Sequence, residues 1–184
     1  MKRKVRSELD LSGMERRHPA LTAAIASAYR EAATVCLSRH HVSPVKVVLV
    51  NNGASFESNI SWVAPDQRTV KAWANDIDAT EAGAYCCVIA GIEHVRGQVA
   101  LRRAETGTGA DYYIGDPETN TEDLEDCIRL EVSGVDKGNV DVMSARLCSK
   151  IEQAKRGQSN LPAVAGVVGF AQKTIMISDV VEDE

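Results

Sequence analysis

The segment DATEAGAYCCVIAGIEHVRG, residues 78–97, constrains this chain more than any other. It has helical spacing, opens with Asp78 and Glu81 at the separation of a capping box, and closes on Gly97. Between those ends it is apolar on most sides, so the helix has to be surrounded by other structure. Three strand candidates follow: QVALRRA, ADYYIG and CIRLEVSGV. A second helix spans residues 141–156, with Met143, Leu147, Ile151 and Ala154 as its apolar stripe, and AVAGVVGF and TIMISDVV read as further strands. The order from residue 78 is α-β-β-β-α-β. It predicts a mixed α/β (α+β) fold with a central mixed sheet flanked by helices.

Upstream, Leu21, Ile25, Ala28, Tyr29, Ala32, Val35 and Cys36 recur at helical spacing. They predict a helix after Pro19, with His18 as its cap and an end near His40-His41. VKVVLV reads as a strand closed by Asn51-Asn52-Gly53, and NISWVA would pair back on it as a hairpin. DQRTVKAWAND fits neither template. A chain of 184 residues suits one domain with a single core. Residues 1–77 would be a helix-and-hairpin extension that lengthens the sheet or offers a partner surface. Residues 78–178 would form the core and 179–184 an acidic tail.

Composition removes several function classes. The five cysteines form no CxxC pair, which argues against a disulfide framework or a zinc site. Cys86 and Cys87 read as small buried hydrophobes. The formal net charge of −5 provides no global basic field for nucleic acid. Contact with nucleic acid would need a local patch such as MKRKVR, Arg102-Arg103, or Lys150 with Lys155-Arg156. No window approaches the roughly 18 apolar residues of a membrane span, and the N-terminus lacks the apolar run of a secretory signal. The expectation is a soluble, cytoplasmic protein without a membrane partner. GTG before ADYYIG lacks the spacing of a dinucleotide or nucleotide phosphate loop, and no GxSxG elbow is present.

Chemistry concentrates in CIRLEVSGV. Ile128, Leu130 and Val132 alternate with Arg129, Glu131 and Ser133. A glutamate among apolar strand residues is costly unless a charge compensates it. Asp111 stands behind GTG at the start of the preceding strand. If the two strands pair, Asp111 and Glu131 meet at one sheet edge, and oxygen ligands of this kind suit Mg²⁺ or Mn²⁺. Arg146, Lys150 and Gln153 fall at i, i+4 and i+7 on the following helix, with Lys150 leaning toward the sheet. Glu81 would be a third acid. Simpler roles compete: a turn for Asp111, an ion pair with Arg129 or Lys150 for Glu131, and a capping box for Glu81.

Glu81 on a first helix, Asp111 behind a glycine-rich turn and Glu131 in the next strand resemble the PD-(D/E)xK nuclease superfamily over roughly residues 78–170. That resemblance implies metal-assisted phosphodiester hydrolysis on DNA or RNA. It makes Asp111 and Glu131 ligands of Mg²⁺ or Mn²⁺, Glu81 an auxiliary acid, and a lysine two positions after Glu131 the group that activates water. Here that position holds Ser133, and the proline expected before the aspartate is Ala110. Lys150 is the candidate for a migrated lysine, and Gln153 for a contact to the nucleic-acid backbone. The alternative is a non-catalytic subunit that uses the same fold to bind a protein partner or a second copy of itself.

Overall fold

Asn52 and Gly53 both take positive φ, 48° and 82°, which is the backbone of a two-residue hairpin turn. Pairing therefore starts at once: β1 (Val45–Asn51) runs antiparallel to β2 (Ala54–Ile60), with Asn51 opposite Ala54. This corrects the expected second strand NISWVA. The ladder uses residues 54–60, and residues 61–64 leave the sheet. The computed structural model describes residues 7–119 and 124–181; the basic stretch MKRKVR and the last three acidic residues lie outside them.

Helix α1 spans Ala23–Ser38 and starts at Thr22, whose hydroxyl accepts the Ile25 N–H. His18 is not the cap. The unassigned stretch contains α2 (Gln67–Ala72), capped by Asp66. The long helix α3 (Asp76–Arg96) is capped by Asn75, which accepts from the N–H groups of Ile77 and Asp78. The helix begins two residues before Asp78, so Asp78 and Glu81 are helical and do not form its cap. Gly97 closes the far end with φ 77°.

After α3 come β3 (Val99–Arg103), β4 (Tyr112–Gly115), β5 (Ile128–Val135), α4 (Val140–Lys155), β6 (Ala163–Gly169) and β7 (Thr174–Val180). The seven strands form one mixed sheet in the order β2-β1-β7-β6-β5-β4-β3. β5 with β6 and β1 with β7 are parallel, and the other neighbours are antiparallel. The N-terminal hairpin thus extends the sheet beyond β7. Asp179, assigned above to a tail, is a β7 residue held by Arg96 and Asn52.

The two faces of the sheet carry different helices. Leu130, Val132, Val164 and Val168 pack with Cys86, Val88 and Ile89 of α3. A Cβ on Gly166 would overlap Val88 Cγ1, so α3 rests directly on β6. On the opposite face Val135 and Val167 pack on Met143 of α4. Cys36, Cys86, Cys87 and Cys127 are buried and Cys148 is exposed. No described helix is long and apolar enough to cross a membrane.

The first described residues cover both outer strands, where unpaired backbone would otherwise invite edge pairing. The Leu9 N–H donates to Asn59 O at 2.7 Å on β2. On β3 the Ala20 N–H donates to Ala100 O, and His18 Nδ1 accepts the Ala100 N–H at 3.1 Å. Between these points Arg17 Nε donates to Glu93 Oε2 at 3.0 Å, and His18 Nε2 lies 3.2 Å from the same oxygen. Burial alone would raise the Glu93 carboxyl, but the bonds from His18 and Arg17 outweigh it and hold the pKa at about 2.

Candidate active site

β5 has eight residues and β4 four, so β5 outruns its neighbour and leaves a notch in the ladder. The Asp111 N–H donates to Leu130 O at 2.7 Å, the last backbone rung. The next amide along that edge, Val132 N–H, is accepted by Asp111 Oδ2 at 2.8 Å. Asp111 Oδ1 accepts from the Tyr85 hydroxyl of α3 at 2.8 Å and lies 3.5 Å from Arg103 Nη2. A buried strand amide without a ladder partner needs an acceptor, and Val132 is 6% exposed; Asp111 supplies the acceptor from its side chain. Its role exceeds that of a turn residue, because it joins β4, β5 and α3 at one point.

The glycine-rich loop ahead of it is fixed from below by Arg129. That guanidinium belongs to a residue 4% exposed, and it donates to the carbonyls of Thr108, Ala154 and Leu161 at 2.9, 2.9 and 3.0 Å. Three carbonyl partners compensate the burial of the charge. Gly109, at φ 65°, lies against the end of α4, where a Cβ would come 2.7 Å from Gly157 Cα. Gly109 therefore serves a close backbone approach, while Gly107, at φ 91° with open space around it, serves the turn.

With Arg129 committed to backbone, Glu131 pairs with Lys150. Glu131 is 3% exposed and on the α4 face, and Lys150 Nζ donates to its Oε1 at 2.7 Å. The same ammonium donates to Gln153 Oε1 at 3.0 Å. Burial raises the Glu131 carboxyl above its ordinary range. The Lys150 bond opposes that rise and the charge of Asp111 adds to it, so the two carboxylates sense one another.

Glu81, Asp111, Glu131, Ser133, Lys150 and Gln153 all line one cleft of about 670 Å³ between the start of α3, the end of β5 and α4. Asp111, Glu131 and Gln153 also border a smaller hollow of about 400 Å³, where Arg103 and Arg156 stand. Glu81 is exposed on the cleft wall. Among the described residues no group of three or more His, Cys, Asp or Glu side chains converges on a point that would hold a metal. The sheet edge thus offers a pair of carboxylates without a third. Two carboxylates still fit Mg²⁺ or Mn²⁺, since Mg²⁺ is usually held by one or two carboxylates with waters and substrate phosphate completing six ligands. Asp111 Oδ1 accepts a hydrogen bond from Tyr85 and Oδ2 one from Val132, which leaves each oxygen a further lone pair.

Sequence reasoning missed Tyr85, and it named Arg103 only within the basic patch Arg102-Arg103, apart from the acidic pair. Tyr85 reads as one more apolar position of a buried helix, and Arg103 as half of an exposed basic pair. Tyr112 and Tyr113 are both buried, in separate clusters. No protein-family model, curated protein or solved structure matches the chain.

Proposed function

We propose that the protein is a metal-dependent nuclease that hydrolyses phosphodiester bonds of nucleic acid at the Asp111–Glu131 notch. The observation that carries this reading is the juxtaposition in one cleft of two electrostatically coupled carboxylates from paired strands and a lysine ammonium 2.7 Å from one of them. The element order α3-β3-β4-β5-α4-β6 is also the one the PD-(D/E)xK resemblance implies. A divalent cation held by Asp111 and Glu131 would polarise the phosphate and lower the pKa of a bound water. Asp111 is oriented for this by the Tyr85 hydroxyl and the Val132 amide. Glu131 is oriented by Lys150, which takes the place of the lysine that Ser133 lacks. Lys150 stands beside the reacting centre with its ammonium already positioned, where it can hold a water or stabilise charge on the phosphate. Gln153 is positioned at the junction of the two hollows to meet the backbone of the substrate.

The test is cleavage of a panel of single- and double-stranded DNA and RNA with Mg²⁺ or Mn²⁺. Wild type should cut at least one substrate, and Glu131→Gln should cut none. Equal cleavage by the two proteins would remove the assignment. A second reading, a non-catalytic subunit that docks a protein, is favoured by Ser133 and by the exposed apolar residues Ile77 and Val142 that line the cleft. It predicts no cleavage and no calorimetric signal with either metal.

A further inference from the structure

We propose that Arg103 receives the phosphate of the substrate in this cleft, a proposal that rests on the nuclease reading. Its guanidinium carbon lies 4.7 Å from the ring centre of Tyr85 and 4.6 Å from that of Tyr112. Nη2 donates to the Tyr85 hydroxyl at 3.2 Å and lies 3.5 Å from Asp111 Oδ1. The rings are themselves held in place. Tyr85 and Tyr112 meet edge to face at 5.7 Å, Tyr29 stacks on Tyr85 at 5.1 Å, and the Tyr29 and Tyr112 hydroxyls are 2.8 Å apart.

A long, mobile cation is thereby fixed beside the acidic pair, yet its side chain remains 50% exposed and borders the hollow that Asp111 and Glu131 share. Arg156 borders the same hollow from the end of α4, and three other basic groups nearby are engaged elsewhere. Arg129 is buried on backbone carbonyls, Lys150 is bonded to Glu131, and Arg102 pairs with Glu105 at 2.6 Å. A phosphodiester entering this cleft brings negative charge toward two carboxylates. A guanidinium already in place, with a planar fork that matches two phosphate oxygens, offsets that charge without reorganisation. Stacking on aromatic faces orients the fork and leaves its remaining N–H groups for the ligand.

The test is anisotropy of a labelled oligonucleotide over a salt series, with Ca²⁺ replacing Mg²⁺, for wild type, Arg103→Gln, Arg103→Lys and Arg102→Gln. Each phosphate contact contributes about 0.7–0.9 to the slope of log affinity against log salt. Arg103→Gln should lower the slope by that amount. Arg103→Lys should keep most of the slope but bind more weakly than wild type. Arg102→Gln, with the same loss of charge one residue away, should match wild type. An unchanged slope in Arg103→Gln, or an equal fall in both glutamine variants, overturns the proposal while leaving the nuclease reading intact. No binding by wild type in any salt overturns both. Near-ultraviolet circular dichroism of the tyrosine cluster identifies a variant that has lost the packing; if Arg103→Gln is one, the slope of Arg103→Lys decides, and a slope equal to wild type with unweakened binding then counts against the proposal.

Discussion

Replacing Lys150 with methionine isolates the ion pair on which the site depends. The Glu131 side chain is 4% exposed and that of Lys150 18%, with 2.7 Å between Nζ and Oε1. Without the lysine, Glu131 faces Asp111 across the notch, and Arg129 cannot turn to it because three carbonyls hold its guanidinium. Deleting one partner of a buried pair costs about 3–5 kcal/mol. The carboxylate borders an open cleft that water enters, which places the expected loss nearer 2–3 kcal/mol. For a chain of this size that lowers Tm by roughly 5–10 °C. Glu131→Gln should cost less, about 1 kcal/mol, because Lys150 keeps Gln153 as a partner and can turn toward solvent. The double variant should recover part of the methionine loss, with a coupling of about 1–2 kcal/mol. Urea unfolding of the four proteins at neutral pH measures the cycle. A Lys150→Met protein within about 0.5 kcal/mol of wild type, or a cycle that closes to zero, would mean that Lys150 does not stabilise Glu131.

Three further perturbations test the surrounding structure. The Glu93 carboxyl, held at about 2 against an ordinary 4.5, contributes stability that is complete above pH 4.5 and lost as pH falls toward 2. That gap corresponds to about 3 kcal/mol, so acid unfolding of Glu93→Gln should lack this component, and a pH profile parallel to wild type would contradict the assignment. Tyr85→Phe removes a hydrogen bond to a carboxylate and should cost about 1–2 kcal/mol in urea unfolding; a neutral effect would mean that Asp111 does not depend on α3. Gly109→Ala forces a side chain into positive φ and against Gly157, with an expected loss of at least about 1–2 kcal/mol and weaker hydrogen-exchange protection of the Val132 amide. An unchanged Tm would mean that the loop does not approach Gly157 closely.

The αβββαβ order was legible because its elements carry strong patterns: α3 is apolar on most sides, and β5 alternates around a glutamate that demanded a partner. The lysine that answers Glu131 was also legible, since Lys150 borders the apolar stripe of α4. Boundaries fared worse where a stronger local signal was overlooked. Thr22 caps α1 although His18 stands before the proline, and Asn75 caps α3 two residues ahead of an apparent capping box. The Asn-Gly turn started β2 five residues earlier than its β-branched content suggested. The placement of Arg103 and Tyr85 beside Asp111 was hidden for a different reason. They come from β3 and α3, and only the packing of an edge strand against the buried helix brings them to Asp111. Arg129 looked like a partner for Glu131, yet in the folded chain its charge is spent on loop carbonyls.

Titration of Mn²⁺ into wild type, Asp111→Asn and Glu131→Gln by calorimetry, with Tm recorded for each, tests most directly whether the two carboxylates act together on one cation. Wild type should bind Mn²⁺ at a single site that either substitution abolishes while both variants remain folded. Binding that survives both substitutions, or its absence from wild type with and without oligonucleotide, would contradict a cation site shared by the two carboxylates.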